Sequence, residues 1–248
     1  MRLKDKVAIV TGAASGFGEG IAKAFAREGA AVIIADINEK AGEKVAASLD
    51  KAIFVACDVT RSGDVKAIVA AAEDSFGGLD ILVNNAGTTH ARKPLLEVTK
   101  DEFDKVYATN VKSLYLSAVH GVPALRKRGG GVILNIASTA GVRPRAGLTW
   151  YNGTKGAAIT LTKSMAVELA EDNIRVCAIN PVIGETGLLE SFMGGQDSPE
   201  LREQFISGIP LGRMSRPGDI ARAAVFLCSD DAEFITGVCL EVDGGRCI

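Results

Sequence analysis

Short apolar runs alternate along the chain with longer segments in which apolar residues recur at helical spacing. Runs that are apolar at every position, rather than at alternate ones, are typical of strands buried on both faces of a parallel sheet. The helical segments are typical of the crossovers that join such strands. The pattern predicts strands at Val7–Thr11, Ala31–Ala35, Ile53–Cys57, Ile81–Asn84, Val132–Ala137, Arg175–Asn180 and Val238–Val242.

The segment between the first two strands illustrates the helical pattern. Ile21, Ala22, Phe25 and Ala26 fall on one helical face, and Glu28-Gly29 ends the helix. The 248 residues contain neither a proline-rich linker nor an internal repeat. The sequence therefore predicts an α/β, single-domain, doubly wound Rossmann fold over residues 1–248, with a seven-stranded parallel sheet flanked by helices. Ligands bind such sheets beyond the carboxyl ends of the strands.

The first predicted strand runs directly into a glycine-rich turn, Thr11-Gly12-Ala13-Ala14-Ser15-Gly16-Phe17-Gly18. Glycines allow the backbone to turn sharply and to approach a pyrophosphate, whose charge is then stabilised by the N-terminus of the following helix. Such turns are common, but this one follows a strand and opens a helix, which favours dinucleotide binding. The candidate contacts are Gly12, Ser15, Gly16, Phe17 and Gly18.

A carboxylate, Asp36, follows the second strand. At this position it can accept hydrogen bonds from the adenosine ribose hydroxyls and repel the 2′-phosphate of NADP. Neither Ser15 nor Ile37 supplies a cation for that phosphate. We therefore predict NAD as the cofactor in preference to NADP, with Asp36 and Ile37 as contacts. The alternatives for Asp36 are a helix N-cap and a solvated loop acid.

Two further strand ends carry polar motifs. Asp58-Val59 follows the third strand, and the Asp58 carboxylate can accept a hydrogen bond from the adenine amino group. Asn84-Asn85-Ala86-Gly87 follows the fourth strand and brings amides towards the cofactor. Each motif alone also fits ordinary turn chemistry. As cofactor contacts we predict Asp58, Val59, Asn85, Ala86 and Gly87.

Taken in order, these motifs resemble those of the short-chain dehydrogenase/reductase family over essentially the whole chain. The matching residues are Thr11-Gly12-x3-Gly16-x-Gly18, Asp58, Asn84-Asn85-Ala86-Gly87, Asn110, Ser138 and Tyr151-x3-Lys155, with Ser138 thirteen residues before Tyr151. The combination is specific, although no single member is. The resemblance implies an NAD(P)-dependent oxidoreductase that acts on CH–OH groups.

The catalytic chemistry also follows from residue types. Reduction of a ketone requires a proton at oxygen while hydride arrives at carbon, yet a free tyrosine has a pKa of about 10. Tyr151 and Lys155 are four residues apart and share a helical face. The ammonium, together with a bound pyridinium, is therefore expected to lower the pKa of the phenol. Ser138 is expected to donate a hydrogen bond to the substrate oxygen. The alternative is an incidental pair on an amphipathic helix, with Ser138 as a cap.

The resemblance implies further roles for residues around this set. It implies that Lys155 also holds the nicotinamide ribose and that Asn110 helps to order a water in a proton relay. It places cofactor contacts in the loop after the sixth strand, at Pro181, Ile183 and Thr186. Val182 in this loop stands where family members commonly have glycine.

The substrate is predicted to be a small alcohol or ketone, covered by a mobile lid at residues 187–212 with Gly194-Gly195 as a hinge. The alternative for this segment is an ordinary helical hairpin packed on the core. His90 is expected to be a solvated loop histidine, with a substrate contact as the second interpretation. Arg143 and Arg145 are expected either to attract an anionic substrate or to be exposed loop arginines. The candidate lining residues are Thr88, Thr89, His90, Thr139, Ala140, Arg143, Arg145, Trp150, Leu188 and Met193.

Composition narrows the partners and the location. The formal net charge of −2 and the pI of about 5.8 give no reason to expect nucleic acid or an anionic membrane as partner. No stretch approaches the roughly 20 apolar residues of a membrane span. The five cysteines include no C-x-x-C pair, which favours buried thiols in a reducing cytoplasm. With His90 and His120 as the only histidines, neither beside a cysteine, no metal site is predicted.

The sequence thus predicts an NAD-dependent oxidoreductase that interconverts a secondary alcohol and a ketone through Ser138, Tyr151 and Lys155. A 3-oxoacyl-thioester reductase is the alternative within the same chemistry. A non-catalytic NAD-binding sensor would be expected to lack one of these three residues, and all are present. A dehydratase or epimerase usually carries a larger C-terminal substrate region than this length allows. The family resemblance implies a homotetramer that packs the helices around Asn110–Arg126 and Tyr151–Ala170.

Overall fold

A computed structural model describes residues 1–194 and 198–248 of the chain. The described residues form one parallel sheet of seven strands in the order β3-β2-β1-β4-β5-β6-β7. The strands are β1 (Val7–Thr11), β2 (Ala31–Asp36), β3 (Ala52–Ala56), β4 (Ile81–Asn84), β5 (Gly131–Ile136), β6 (Ile174–Pro181) and β7 (Cys239–Val242). Every strand predicted from the sequence is present, with no end displaced by more than one residue.

Helices cover both faces of the sheet. On one face lie α1 (Gly16–Arg27), α2 (Glu39–Ala47) and α9 (Pro217–Cys228). On the other lie α3 (Ser62–Phe76), α5 (Ser113–Lys127) and α6 (Thr149–Glu168). The remaining helices are α4 (Lys100–Tyr107), α7 (Leu189–Phe192) and α8 (Pro199–Ile206), and a π-helical turn at Ala108–Lys112 joins α4 to α5. In the described part of the chain, none of the helices has the length and hydropathy that a bilayer crossing requires.

Two apolar cores explain why the strands are apolar at every position. In β1, Ala8 and Val10 pack under α1 and α9, whereas Val7 and Ile9 pack against the opposite helix layer. Successive side chains of a strand point to opposite faces, so a strand covered on both faces needs apolar residues throughout.

The strand order reverses between β1 and β4, which opens a crevice beyond their carboxyl ends. Thr11, the last residue of β1, holds this crevice together. Its hydroxyl donates to the Val83 carbonyl (3.2 Å) and accepts from the backbone N–H groups of Asn85 (3.0 Å) and Ala86 (3.1 Å). The turn that follows β4 is thereby fixed against the glycine-rich turn that follows β1.

A buried polar chain connects the sheet to α6. The Asn84 amide donates to Asn135 (2.8 Å), and the Asn135 amide donates to Thr162 on α6 (2.9 Å). The Thr162 hydroxyl in turn donates to the Ala158 carbonyl (2.8 Å). Because buried polar groups strongly favour being hydrogen-bonded, this chain fixes the rotation and height of α6 relative to β4 and β5.

The segment predicted as a lid contains α7 and α8. Leu189, Met193 and Phe205 of this segment form a small buried apolar cluster with Met214, separate from the two main cores. Gly194 of the predicted hinge has a φ of 79°, and Gly195 lies outside the described residues. The segment contains helices, and its movement as a lid remains a prediction.

Candidate active site

A cavity of about 920 Å³ lies beyond the carboxyl ends of the strands. It runs from the end of β2, across the glycine-rich turn, to the first turn of α6. Its walls contain almost all residues predicted to contact the cofactor: Gly12, Ser15, Gly16, Phe17, Asp36, Ile37, Asp58, Val59, Asn85, Ala86, Gly87, Tyr151, Lys155, Pro181, Ile183 and Thr186. Ser138 lines the same cavity, whereas Gly18 and Asn110 lie behind its walls.

The glycine-rich turn owes its shape to three glycines. Gly12 (φ 63°) and Gly16 (φ 59°) adopt left-handed backbone conformations that disfavour other residues. At Gly18 a side chain would collide with the Gly12 carbonyl and the Asn85 amide. That amide donates to the carbonyls of Thr11 (2.8 Å) and Gly12 (3.0 Å). Gly18 therefore packs the start of α1 against the turn and does not face the cavity.

Asp36 ends β2 on the cavity wall and is held in place by backbone donors. One carboxylate oxygen accepts from the Ala14 N–H (2.9 Å) and the other from the Asn38 N–H (2.9 Å). The N-cap of α2 is Asn38, not Asp36, so the helix-cap alternative is wrong. Ile37 beside it is 76% exposed at the cavity rim.

Asp58 follows β3 and keeps its charge. One carboxylate oxygen accepts from the Thr60 N–H (2.9 Å) and the Thr60 hydroxyl (2.7 Å). Partial burial alone would raise the pKa of Asp58, but the hydrogen bonds from Thr60 and the charge of Arg61 together lower it.

The predicted catalytic residues meet where β5 and α6 converge. Ser138 follows β5, and Tyr151 and Lys155 lie in the first half of α6, both buried. The Ser138 side chain lies close enough to the Tyr151 phenol to lower its pKa, and the Lys155 ammonium donates to the Ile136 carbonyl (2.8 Å). A side chain at Gly141 would come within 2.7 Å of the α6 backbone at Lys155, so this glycine allows the Ser138 turn to approach the helix.

Asn110 lies in the π-helical turn and links the loop after β4 to α6. Its amide oxygen accepts from the Thr88 N–H (2.9 Å), and its amide nitrogen donates to the Thr88 carbonyl (2.8 Å) and the Thr154 hydroxyl (3.0 Å). The Thr154 hydroxyl donates to the Tyr151 carbonyl (2.7 Å). Asn110 thus positions the backbone around Tyr151, and its role in a water relay stays a prediction.

Comparison with known proteins identifies the family. A family profile described as enoyl-(acyl carrier protein) reductase matches residues 12–246. The chain is 54% identical to 4-formylbenzenesulfonate dehydrogenase of Comamonas testosteroni over 99% of both chains. It is 39% identical to 2-(R)-hydroxypropyl-CoM dehydrogenase of Xanthobacter autotrophicus, over 97% of this chain and 98% of the relative.

Solved structures agree. The 3-ketoacyl-(acyl-carrier-protein) reductase of Brucella melitensis, complexed with NADH, superposes with a TM-score of 0.94 at 48% identity, covering 99% of this chain and 100% of its own. The chain belongs to the short-chain dehydrogenase/reductase family. This membership confirms the resemblance, the doubly wound fold and the oxidoreductase class that were predicted from the sequence.

In this short-chain dehydrogenase/reductase, burial sets the pKa values of the tyrosine and lysine. Burial raises the pKa of Tyr151 to about 12, and the hydrogen bond from Ser138 opposes the rise. Burial also lowers the pKa of Lys155 to about 8. The lysine nitrogen is 5.9 Å from the centre of the phenol ring. In the protein without cofactor, desolvation therefore decides the pKa of the phenol, and the lowering expected from the ammonium together with a bound pyridinium stays a prediction.

The substrate end of the cavity contains half of the residues predicted to line it. Thr88, Thr139, Ala140, Arg145 and Leu188 do so, whereas Thr89, His90, Arg143, Trp150 and Met193 do not. His90 is buried, not solvated: its Nδ1 is hydrogen-bonded to the Ala91 carbonyl (2.8 Å), and its Nε2 has no hydrogen-bond partner among the described residues. The solvated-loop interpretation of His90 was wrong because the loop folds inward.

Several lining residues were missed in the sequence. They are Arg92, Lys105, Leu148, Phe205 and Arg246. Phe192, from the predicted lid, also lines the cavity and packs edge-to-face on Tyr151 with ring centres 5.2 Å apart. No local pattern marks these positions, because segments far apart in the chain bring them together.

Val182 does not displace the loop in which family members commonly have glycine. Its side chain is buried, and its carbonyl accepts from the Ser215 hydroxyl (3.1 Å). Two residues later, Gly184 makes the close approach, since a side chain there would collide with the Phe17 ring. Ile183 and Thr186 therefore still line the cavity.

Proposed function

We propose that this protein is an NAD-dependent oxidoreductase that transfers a hydride between NAD(H) and a secondary alcohol or ketone. One observation carries the proposal: a single cavity joins Asp36 and the glycine-rich turn to Ser138, Tyr151 and Lys155. A dinucleotide lying along this cavity would have its adenosine at Asp36 and its nicotinamide beside Tyr151. The retained serine, tyrosine and lysine favour catalysis over a non-catalytic sensor.

The chain's own residues move the proton. In alcohol oxidation, Tyr151 takes the hydroxyl proton as the carbon–hydrogen bond breaks, and Ser138 donates a hydrogen bond to the oxygen. NAD⁺ supplies the hydride acceptor when bound. Because burial keeps the unassisted phenol protonated, Tyr151 acts as a base only when a further positive charge lies beside it. In ketone reduction, the same phenol returns the proton to the oxygen.

Asp36 selects the cofactor. Its fixed carboxylate, with the uncharged Ile37 beside it, favours ribose hydroxyls and disfavours a 2′-phosphate. NADH is the cofactor named for the Brucella melitensis structure, which agrees with the prediction of NAD.

A 3-oxoacyl-thioester reductase is the second candidate, favoured by the 48% identity to a 3-ketoacyl-(acyl-carrier-protein) reductase. The dehydrogenases named among the relatives act instead on free small molecules. In both cases the same Ser138–Tyr151–Lys155 set would carry the chemistry.

The proposal includes three features of the working enzyme. Residues 187–212 close over the substrate and exclude water from the transfer. The chain assembles as a homotetramer, for which the exposed apolar side chains of Tyr115, Val119 and Val167 on α5 and α6 provide a surface. It acts in the cytoplasm, where its free, mostly buried cysteines remain reduced.

The test is a panel of secondary alcohols and ketones followed by NADH absorbance, with wild-type protein, Tyr151→Phe and Tyr115→Phe. Tyr151→Phe is expected to lower turnover by at least about 100-fold while leaving NADH affinity nearly intact, because it removes only the proton-transfer group. Tyr115→Phe deletes a phenol hydroxyl from α5 but keeps the apolar ring that the proposed assembly would cover, and it serves as the matched control. Undiminished turnover by Tyr151→Phe would contradict the proposal.

A further inference from the structure

The two ends of the cavity differ in charge. The carboxylates among the described lining residues are Asp36 and Asp58, and both lie at the adenosine end. The substrate end is lined by Arg92, Arg145 and Arg246, with no carboxylate among the described lining residues there. This end of the cavity therefore carries positive charge that the described protein groups do not neutralise.

Arg145 is the central member of this arginine cluster, which consists of Arg92, Arg143, Arg145 and Arg246. Its guanidinium lies over the face of Phe205, 4.7 Å from the ring centre, and is half-buried. Among the described residues, none of the four arginines forms an ion pair with a carboxylate. Burial, together with the charges of Arg246, Arg92 and Arg143, lowers the pKa of Arg145 to about 10. Gathering like charges in a half-buried place costs free energy unless an anion joins them.

Hydrogen bonds hold the cluster in a defined arrangement. The Asn152 amide, next to Tyr151 on α6, donates to the Arg145 carbonyl (2.8 Å). The Arg143 guanidinium donates to the Arg246 carbonyl (2.6 Å), which fixes the C-terminal tail against the same loop. Arg145 is thus tied directly to the helix that carries the reacting phenol, so its distance from Tyr151 is set by the fold.

Apolar surface separates the arginines from the catalytic residues. Leu148, Phe192 and Phe205 line this part of the cavity, and Phe192 contacts the Tyr151 ring. These side chains offer apolar surface to the body of a substrate. A guanidinium offers parallel N–H donors that match the two oxygens of a carboxylate or sulfonate.

We infer that the substrate is a small organic anion: an alcohol or ketone on an apolar body whose carboxylate or sulfonate is bound by Arg145. This inference rests on the proposed function and names the substrate class of the same site. The half-buried position of Arg145 against Phe205, inside the cavity, favours a small anion over the surface of an acidic carrier protein.

The kinetic test compares two alcohols of equal shape, 4-(1-hydroxyethyl)benzoate and the neutral 4-(1-hydroxyethyl)benzamide. With Arg145→Gln, kcat/KM for the benzoate is expected to fall by about 10- to 100-fold, the range of a charged hydrogen bond. For the benzamide it is expected to stay within about threefold. Arg145→Lys, which keeps the charge but not the paired donors, is expected to lie between. Arg27→Gln removes the same charge from the exposed end of α1 and should change neither value.

A binding measurement separates this inference from the proposed function. Calorimetric titration of 4-acetylbenzoate into Tyr151→Phe loaded with NADH requires no turnover. Heat of binding that disappears in Tyr151→Phe/Arg145→Gln supports the anion site even if no alcohol is oxidised. Alcohol oxidation that is equally fast for benzoate and benzamide, and unchanged by Arg145→Gln, would overturn the anion site while leaving the oxidoreductase intact. Competition by an acidic carrier protein, without binding of 4-acetylbenzoate, would also overturn it.

Discussion

At the scale of single residues, the site combines a buried phenol, Tyr151, with a buried amine, Lys155. Burial shifts the pKa of each in the direction that favours its uncharged form. The pKa of Tyr151 is raised to about 12, so the phenol stays protonated near neutral pH. The pKa of Lys155 is lowered to about 8, so the ammonium can lose its proton just above neutral pH. Desolvation favours neutral forms, so both displacements have the same cause. In the proposed mechanism, the phenol becomes a base only when a positive charge lies beside it, which would link proton transfer to the binding of the nicotinamide.

Lys155 should leave a signature in the pH dependence of stability. Its pKa is about 8 when folded, against 10.5 ordinarily, so below about pH 8 the folded protein must hold a buried ammonium. Between about pH 8 and about pH 10, Lys155 binds more protons in the unfolded chain than in the folded one. Its contribution to the free energy of unfolding therefore increases as the pH rises, which stabilises the folded protein. The difference between wild type and Lys155→Met, without cofactor, is expected to grow in favour of wild type by about 2 to 3 kcal/mol.

Urea unfolding of both proteins between about pH 7 and about pH 10 measures that difference. Other groups that titrate in this range, including the cysteines, contribute equally to both proteins and cancel. A difference that stays constant with pH would show that Lys155 keeps an ordinary pKa.

Asp36 should decide between the two dinucleotides by charge. Asp36→Asn removes the negative charge but keeps an acceptor oxygen for one of the two N–H groups, Ala14 or Asn38, whereas Asp36→Ala removes the charge and both acceptors. Both variants are expected to narrow the ratio of kcat/KM for NAD over NADP by about tenfold or more, which corresponds to about 1.4 kcal/mol. If Asp36→Asn left the ratio unchanged, repulsion of the 2′-phosphate would not be the cause of selectivity.

At the scale of elements, the site depends on how closely α6 and α1 approach their neighbours. The Asn84–Asn135–Thr162 chain and the Asn110–Thr154 hydrogen bond fix α6 in the layer above β4 and β5. Glycines at the contact points of the site remove the side chains that would hold these elements apart. Ser138 and Tyr151 lie close together because Gly141 lets the turn after β5 approach the backbone of α6.

Gly18 and Gly63 form a matched pair that tests this close approach. A side chain at Gly18 would strike the Gly12 carbonyl and the Asn85 amide, whereas one at Gly63, in the first turn of α3, would have no atom within 4 Å. Gly18→Ala is expected to cost about 1 to 3 kcal/mol of stability and to weaken NADH binding. Gly63→Ala is expected to stabilise by about 0.4 to 1 kcal/mol, because alanine restricts the unfolded chain.

Urea denaturation and NADH titration check both substitutions. Equal effects of the two substitutions on stability would mean that the glycine-rich turn accommodates a methyl group at position 18. Close packing would then not explain why this position is a glycine.

At the scale of the whole molecule, α5 and α6 expose large apolar side chains to solvent, which is unfavourable in a monomer. Tyr115 and Val119 are one helical turn apart on α5 and are 64% and 46% exposed, and Val167 on α6 is 80% exposed. Such a patch is typical of a surface that a second copy of the chain covers.

The variant Tyr115→Glu/Val119→Lys should therefore reduce the size of the assembly. Sedimentation velocity is expected to give a tetramer for the wild type and a smaller species for the variant, since charges at the centre of an interface are costly. Leu96→Glu, at a 90% exposed position outside these helices, is the control and should sediment as the wild type does. A monomeric wild type would refute the assembly outright.

The sequence alone predicted the sheet and the glycine-rich turn. A strand covered on both faces must be apolar at every position, and the polar residues that follow such strands must gather at one edge, so local pattern was enough for β1–β7 and for the place of Asp36. Ser138 and Tyr151 were assigned from residue chemistry and the family resemblance together, and their catalytic roles remain predictions. The membership of the short-chain dehydrogenase/reductase family was readable from the same spacings.

The tertiary structure decided the rest. Burial, which depends on everything packed around a group, raised the pKa of Tyr151 above its ordinary value and placed His90 inside the protein. Arg145 and Arg246 are about a hundred residues apart in the chain, yet they meet at one end of the cavity. Contacts of that kind arise from the folding of distant segments onto each other, which no local pattern of polar and apolar residues records.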